Sequence, residues 1–72
     1  MTFGEKLREL RQDRGLTQVQ LGNELKTTQR KISYLENDKN EPSIEDLKRL
    51  CLFFEVSADY FLGLSPLRKK QN

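Results

Sequence analysis

Histidine is absent from this chain of 72 residues, and cysteine occurs once, as Cys51. A single cysteine cannot form a disulfide within the chain, which suits a reducing compartment. Cys51 lies in the apolar run 50–54, and with no histidine to activate its thiol we expect a small buried hydrophobe rather than a nucleophile. The sequence also lacks a phosphate-binding loop and a cluster of metal ligands, so it predicts no enzyme, no metal site and no cofactor.

Long hydrophobic runs are missing as well. No segment approaches the roughly 18 apolar residues that span a bilayer, and the N-terminus lacks the apolar region of a signal peptide, so we expect a cytoplasmic protein with no membrane partner. With 35% hydrophobic and 33% charged residues, the composition is typical of a small helical domain with a thin core. A chain of this length leaves no room for a separate catalytic or ligand-sensing domain, and no small-molecule ligand is evident.

Positive charge is concentrated in the first part of the chain. A net charge of +2 is by itself a weak indication of a nucleic-acid partner. Residues 1–40 hold eight Lys or Arg against six Asp or Glu, whereas residues 41–72 hold five against five. The excess therefore lies entirely within residues 1–40.

Capping residues followed by apolar residues at helical spacing predict five helices and no strand. Thr2 and Thr17 begin T-x-x-E and T-x-x-Q capping boxes, and Thr28, Ser43 and Ser57 are the other expected N-caps. The predicted ranges, in chain order, are Thr2 to Arg14-Gly15, Thr17 to about Leu25, about Thr28 to Glu36, residues 44–55, and Ala58 to Leu62. Residues 65–72 have no periodicity and are expected to form a basic, flexible tail after a domain of residues 1–64.

The periodic apolar residues give the expected core. They are Phe3, Leu7 and Leu10 in helix 1, Leu21 and Leu25 in helix 2, Ile32 and Leu35 in helix 3, Ile44, Leu47, Leu50, Cys51 and Phe54 in helix 4, and Tyr60, Phe61 and Leu62 in helix 5. Gly22 is costly inside helix 2, so we expect another helix to cross closely there. The short turn after helix 2 predicts a positive φ at Lys26.

The side of helix 3 opposite the core stripe is polar. It carries Gln29, Arg30, Ser33, Tyr34 and Asn37. A donor-rich face on a short helix suits the reading of base edges in a major groove, although surface helices are usually polar on their outer side in any case. For Tyr34, packing and base recognition are equally favoured.

Five motifs occur in order along residues 3–64. They are R-x-x-x-G-L-T-Q-x-x-L at 11–21, T-T-Q at 27–29, I-S-x-L-E-N at 32–37, a proline at position 42, and V-S-x-D-Y-F-L at 56–62. Together they make the chain resemble the helix-turn-helix family of lambdoid phage repressors, Cro proteins and Xre-type bacterial regulators. The resemblance implies an all-α, compact five-helix bundle of the lambda repressor type, in which helix 3 (about 28–36) enters the major groove and helix 2 crosses the DNA backbone.

The resemblance also implies a function: sequence-specific binding of double-stranded DNA by a small prokaryotic or phage transcriptional regulator, most simply a repressor in the nucleoid. It places base-reading side chains at Thr28, Gln29, Arg30, Ser33 and Tyr34, and phosphate-binding side chains at Arg11, Gln18, Lys31, Asn37 and Lys39. It implies that Arg11 and Glu36 form an ion pair that orients helix 3. Gln suits adenine and Arg suits guanine at base edges.

One such module buries too little surface for a long site, so we expect a homodimer on a palindromic operator. The predicted dimer interface is Phe61, Leu64 and Leu67. The alternative from another class is a protein-interaction or adaptor module of the same fold that does not read DNA, against which the basic pair Arg30 and Lys31 argues. Lys26 and Asp38 stand where relatives usually have glycine, so both turns are expected to be strained or reshaped.

Overall fold

The computed structural model describes residues 1–68, which form five helices and no strand. The helices are α1 (Phe3–Asp13), α2 (Gln18–Glu24), α3 (Gln29–Glu36), α4 (Ile44–Phe54) and α5 (Ala58–Phe61). The all-α prediction is confirmed, and each boundary agrees with the expected range to within one or two residues. No helix in this part of the chain is long and apolar enough to cross a membrane. The chain divides into two compact units, one of residues 1–41 and one that starts at Pro42.

All five predicted N-caps are confirmed. The hydroxyls of Thr2, Thr17 and Ser43 each accept a hydrogen bond from a backbone N–H three residues later, and the residue at that position returns a bond to the cap backbone. Thr28 and Ser57 also accept from the third following residue. Each such cap contributes about 1 kcal/mol, which matters for helices of four to eleven residues that are marginal alone.

The core of the first unit forms around α3, which packs against both α1 and α2. Leu7 and Leu10 of α1, Leu21 of α2, and Ile32 and Leu35 of α3 are all at most 5% exposed. Because α3 is held along its apolar side by two helices, its opposite side faces outward.

Two glycines allow the backbones of the first unit to approach closely. A Cβ on Gly4 would lie 2.3 Å from the carbonyl oxygen of Glu36 and 2.6 Å from that of Leu35, so only glycine fits where α1 meets the end of α3. A Cβ on Gly22 would lie 3.2 Å from the carbonyl oxygen of Thr27. The close approach expected at Gly22 is therefore confirmed, but the neighbour is the turn that leads into α3 and not a crossing helix.

The second unit buries residues of α4 and α5 around Val56. Its buried apolar residues are Leu50, Cys51, Phe54, Val56, Tyr60 and Phe61. The prediction was wrong for Ile44, which is 88% exposed at the first position of α4, and for Leu62, which is 57% exposed at the C-cap of α5. Both residues continue the periodic apolar stripe at the end of a helix, where the side chain no longer has packing partners.

Residues 65–68 are not a free tail. The backbone N–H of Ser57 donates to the carbonyl of Arg68 at 2.8 Å, and the guanidinium of Arg68 lies 5.9 Å from the ring centre of Tyr60. These contacts bring the segment back to the start of α5, and its flexibility stays a prediction. The rest of the predicted tail, residues 69–72, lies outside the described residues.

Among residues 1–68, three residues other than glycine have a positive φ: Lys26 at 56°, Asp38 at 57° and Glu55 at 56°. The expectation for Lys26 is confirmed, and the left-handed Glu55, which follows α4, was not foreseen. Lys26 and Asp38 have the same strained left-handed backbone. Only at Asp38 do side-chain hydrogen bonds offset the strain: its carboxylate accepts from the hydroxyl of Thr2 at 2.6 Å and from the N–H of Gly4 at 2.9 Å.

Lys26→Gly is expected to raise the free energy of unfolding by about 0.5 to 1 kcal/mol, because glycine relieves the left-handed strain and only part of that gain is lost to its greater freedom when unfolded. Asp38→Gly relieves the same strain but removes two hydrogen bonds, so it is expected to be neutral or destabilising. Urea denaturation of the two variants checks this. An equal gain for both would mean that the Asp38 contacts contribute nothing.

Candidate nucleic-acid interface

The outward side of α3 carries the side chains expected to read bases. Gln29 and Arg30 are exposed, and Ser33 and Tyr34 are half-buried. Thr28 precedes them as the N-cap, with its hydroxyl bound to the backbone N–H of Lys31 at 3.1 Å. The structure thus brings the predicted base-reading residues onto one accessible side of one helix.

The predicted ion pair between Arg11 and Glu36 is confirmed. The Arg11 Nε donates to Glu36 Oε2 at 2.5 Å, and Nη2 donates to Oε1 at 3.0 Å. The Glu36 side chain is fully buried and that of Arg11 is 11% exposed. The remaining Nη1 of Arg11 donates to the carbonyl of Leu16 at 2.8 Å. The guanidinium of Arg11 is largely buried and already donates hydrogen bonds to both Glu36 and Leu16. Arg11 is therefore better suited to orienting α3 than to its predicted phosphate contact.

Glu36 has two further partners that the sequence did not indicate. Gln18 donates from Nε2 to Glu36 Oε1 at 3.2 Å, and Arg8 donates from Nε to the same oxygen at 3.4 Å. Gln18 in turn accepts from Gln29 Nε2 at 2.6 Å. A continuous line of hydrogen bonds therefore runs from Arg11 through Glu36 and Gln18 to Gln29, and it joins α1, α2 and α3 at the start of the outward face.

The charge of Glu36 is maintained despite its burial. Burial acts to raise the pKa of this carboxyl, but the hydrogen bonds from Arg11, Gln18 and Arg8, with the attraction of Arg11, hold its pKa below the usual value. The hydrogen bond to Glu36 also raises the pKa of Arg11. The pair is therefore ionised at neutral pH, and its geometry is fixed by charge-assisted bonds.

Asp38 has a left-handed backbone at the turn after α3, and its own side chain compensates for it. Its carboxylate holds the hydroxyl of Thr2 and the N–H of Gly4 at the start of α1, and these two bonds lower the pKa of Asp38. The two hydrogen bonds offset the backbone strain at Asp38 and link the first turn of α1 to the turn after α3.

Asn37 and Arg8 meet beside this turn. The amide of Asn37 accepts from Arg8 Nη2 at 3.1 Å and donates to the carbonyl of Ser33 at 2.9 Å. Both ends of the Asn37 side chain are thus engaged within the protein, whereas the Arg8 side chain is still 43% exposed. No sequence pattern distinguished Arg8 from its mixed-charge neighbours on α1.

Two side chains of α3 and one from the segment after it form a group. Arg30 donates from Nε to the hydroxyl of Tyr34 at 3.0 Å, and its guanidinium carbon lies 5.2 Å from the centre of the Tyr34 ring. The Nζ of Lys39 lies 5.8 Å from the same ring centre. A predicted base reader and a predicted phosphate anchor therefore contact one tyrosine.

The predicted dimer residues have different environments. Phe61 is only 2% exposed and packs inside its own unit, so its inclusion in an interface is not supported. Leu64 and Leu67 are 74% and 50% exposed, and Leu62 beside them is 57% exposed. The helical stripe did not distinguish the buried Phe61 from its exposed neighbour Leu62.

Comparison with known proteins places this geometry in a family. A family model described as a helix-turn-helix domain matches residues 4–64. The chain is 34% identical over 70 residues to the HTH-type transcriptional regulator ImmR of Bacillus subtilis, a match that covers 97% of this chain and 55% of ImmR. It is 42% identical over 63 residues to the HTH-type transcriptional activator BcrR of Enterococcus faecalis, covering 88% of this chain and 31% of BcrR.

The chain therefore spans about half the length of the first relative and a third of the second. Among solved structures, the P22 c2 repressor protein in complex with a synthetic operator is similar, with a TM-score of 0.83 and 29% sequence identity. That match covers 90% of this chain and 98% of the repressor chain. The chain thus belongs to the helix-turn-helix family that includes the phage repressors, a family of transcriptional regulators and not of enzymes.

Proposed function

We propose that this chain is a sequence-specific DNA-binding domain of a transcriptional regulator, most simply a repressor, and that α3 enters the major groove. The observation that carries the proposal is the outward face of α3, where Gln29 is held by a line of hydrogen bonds that starts at a buried ion pair. An arrangement that fixes side chains before binding reduces the entropy lost on contact with a base. A merely solvated helix face has no need of it.

We propose that Gln29 reads an adenine. One N–H of its amide is taken by Gln18 at 2.6 Å. The second N–H and the carbonyl oxygen then match adenine N7 and the N6 amino group in the major groove. The predicted phosphate role of Gln18 is only partly supported, because its amide nitrogen already donates a hydrogen bond to Glu36 at 3.2 Å.

Phosphate contacts are proposed for the basic residues that flank the face. Lys31 lies in the first turn of α3 and Lys39 follows its end, so the two would meet the DNA backbone on either side of the bases that α3 reads. Arg8, whose guanidinium is partly exposed beside Asn37, joins this group. Such contacts fix the register and raise affinity for every sequence alike.

A second copy of the chain would complete the site. We propose a homodimer on a palindromic operator, with an interface of the exposed side chains Leu62, Leu64 and Leu67 in place of the buried Phe61. Two half-sites about one helical turn, roughly 10 base pairs, apart would follow from that symmetry.

Selection of bound duplexes from a random DNA pool tests the proposal. The expected result is a palindromic consensus with an adenine and a guanine in each half-site, whose binding weakens steeply as salt rises. The rival function, a protein adaptor of the same fold, would give no consensus and little salt dependence. That result would refute DNA reading, and a single unrepeated half-site would refute the dimer alone.

A further inference from the structure

Tyr34 contacts two cationic side chains, Arg30 in the first turn of α3 and Lys39 in the segment that follows it. Its hydroxyl accepts from Arg30 Nε at 3.0 Å, and the Arg30 guanidinium carbon lies 5.2 Å from its ring centre. The Nζ of Lys39 lies 5.8 Å from the same ring centre, and the backbone N–H of Lys39 donates to the Tyr34 carbonyl at 2.9 Å. One half-buried tyrosine thus touches both a predicted base reader and a predicted phosphate anchor.

We infer that Tyr34 is a positioning residue, which aims the guanidinium of Arg30 at a guanine and holds Lys39 toward the DNA backbone without reading a base itself. The inference rests on the proposed function, because it describes how the same face of α3 reaches its specificity. It assigns the hydroxyl of Tyr34 to Arg30 alone, and the aromatic ring to Lys39 as well as to Arg30.

The hydroxyl acts by occupying one defined donor of Arg30. A guanidinium has five N–H donors and can meet a guanine either with Nε and one terminal nitrogen or with both terminal nitrogens. The bond from Nε to Tyr34 is the one hydrogen bond of this guanidinium among residues 1–68. With Nε taken, the two terminal nitrogens are left as the fork that matches guanine O6 and N7.

The helix supplies the geometry of this contact. Residues four apart on a helix lie one above the other, so Tyr34 supports Arg30 from the next turn without any loop between them. An exposed arginine has many rotamers, most of which point away from any one base. A hydrogen bond and a cation–π contact to the same ring select few of them before DNA arrives.

The ring acts on Lys39 independently of the hydroxyl. Lys39 follows the left-handed Asp38, and the backbone bond to the Tyr34 carbonyl brings its side chain back over the ring. An ammonium at this distance from an aromatic face is held by the ring quadrupole, which phenylalanine retains and leucine lacks. The two roles of Tyr34 are therefore separable by substitution.

Tyr34→Phe and Tyr34→Leu separate the two roles. Affinity is measured for the consensus duplex selected by the unmodified chain and for a scrambled duplex of equal length. We expect Tyr34→Phe to lower affinity for the consensus about three- to ten-fold, as for the loss of one charge-assisted hydrogen bond in water, and to leave the scrambled duplex unaffected. Tyr34→Leu is expected to weaken both duplexes, because Lys39 is released as well.

A double-mutant cycle identifies the partner of the hydroxyl. In an Arg30→Ala background, Tyr34→Phe should change the affinity for neither duplex, because its effect passes through Arg30. An undiminished effect in that background would show that Tyr34 contacts a base directly and would overturn the inference. Unequal denaturation midpoints for Tyr34→Phe and the parent chain, with equal loss on both duplexes, would reduce the hydroxyl to a structural role and would also overturn it.

The proposed function fails in a different way. If the unmodified chain selects no consensus, DNA reading is wrong and the inference falls with it. If a consensus is selected and Tyr34→Phe still binds it as the parent chain does, the proposed function stands and only the positioning role is refuted.

Discussion

Glu36→Gln is expected to lower the free energy of unfolding by about 3 to 5 kcal/mol, because it leaves the largely buried guanidinium of Arg11 without its counter-charge. The amide keeps the size of the side chain but brings N–H donors toward those of Arg11 and Gln18, which already point at this position. A chain of 72 residues has a total stability of roughly 4 to 11 kcal/mol, so the variant is expected to be partly unfolded at 37 °C.

Two controls make this result specific, and all variants are compared by urea denaturation at pH 7. Glu24→Gln makes the same chemical change at an exposed position of α2 and is expected to stay within about 0.5 kcal/mol of the parent. The double variant Arg11→Met with Glu36→Met replaces both charges by apolar groups and should recover most of the lost stability. A loss as small as that of Glu24→Gln would show that the pair does not hold α1 to α3.

The same carboxylate makes stability depend on pH in a predictable direction. The pKa of Glu36 in the folded chain lies below the usual 4.5. At pH values between the lowered pKa and the usual one, the unfolded state therefore binds more protons than the folded state. The contribution of Glu36 is complete above the usual pKa and is lost as the pH falls through the lowered one. Asp38 and Glu5 also have lowered pKa values, so the difference between the parent and Glu36→Gln, rather than the parent curve alone, isolates Glu36.

The elements of this fold are local and were predictable from local patterns. Each N-cap hydroxyl bonds to a backbone N–H three residues away. The apolar spacing of helices 1 to 3 predicted the five buried apolar side chains of the first unit, together with Phe3 and Leu25, which are half-buried. Both signals lie within a single turn of helix, so no knowledge of the tertiary structure is needed to read them. The ion pair of Arg11 and Glu36 followed only from the resemblance to phage repressors, since 25 residues separate the two.

The missed features depend on contacts between distant segments. Gly4 is required because its α-carbon meets the carbonyl of Glu36, and Asp38 is compensated by the first turn of α1. Neither neighbour is evident until α1 and α3 are packed together. Periodicity also cannot tell where a stripe stops having packing partners, which is why the exposed Ile44 and Leu62 were expected in the core.

Arg30→Ala is expected to weaken binding to the selected operator by about 1 to 3 kcal/mol and to remove the preference at one base pair of each half-site. Arg30 is exposed on the outward side of α3 and is held there by Tyr34, so its removal deletes a base contact without disturbing the core. Lys39→Ala should instead lower affinity for every duplex alike and reduce the dependence of binding on salt.

The most direct measurement compares Arg30→Ala with the parent chain on a set of operators in which each base pair of one half-site is changed in turn. Lys48→Ala, at an exposed position of α4, controls for the loss of one positive charge. Reading of bases by α3 predicts that Arg30→Ala becomes indifferent to one guanine while every other position keeps its cost. A uniform loss at all positions, equal to that on random DNA, would contradict the account.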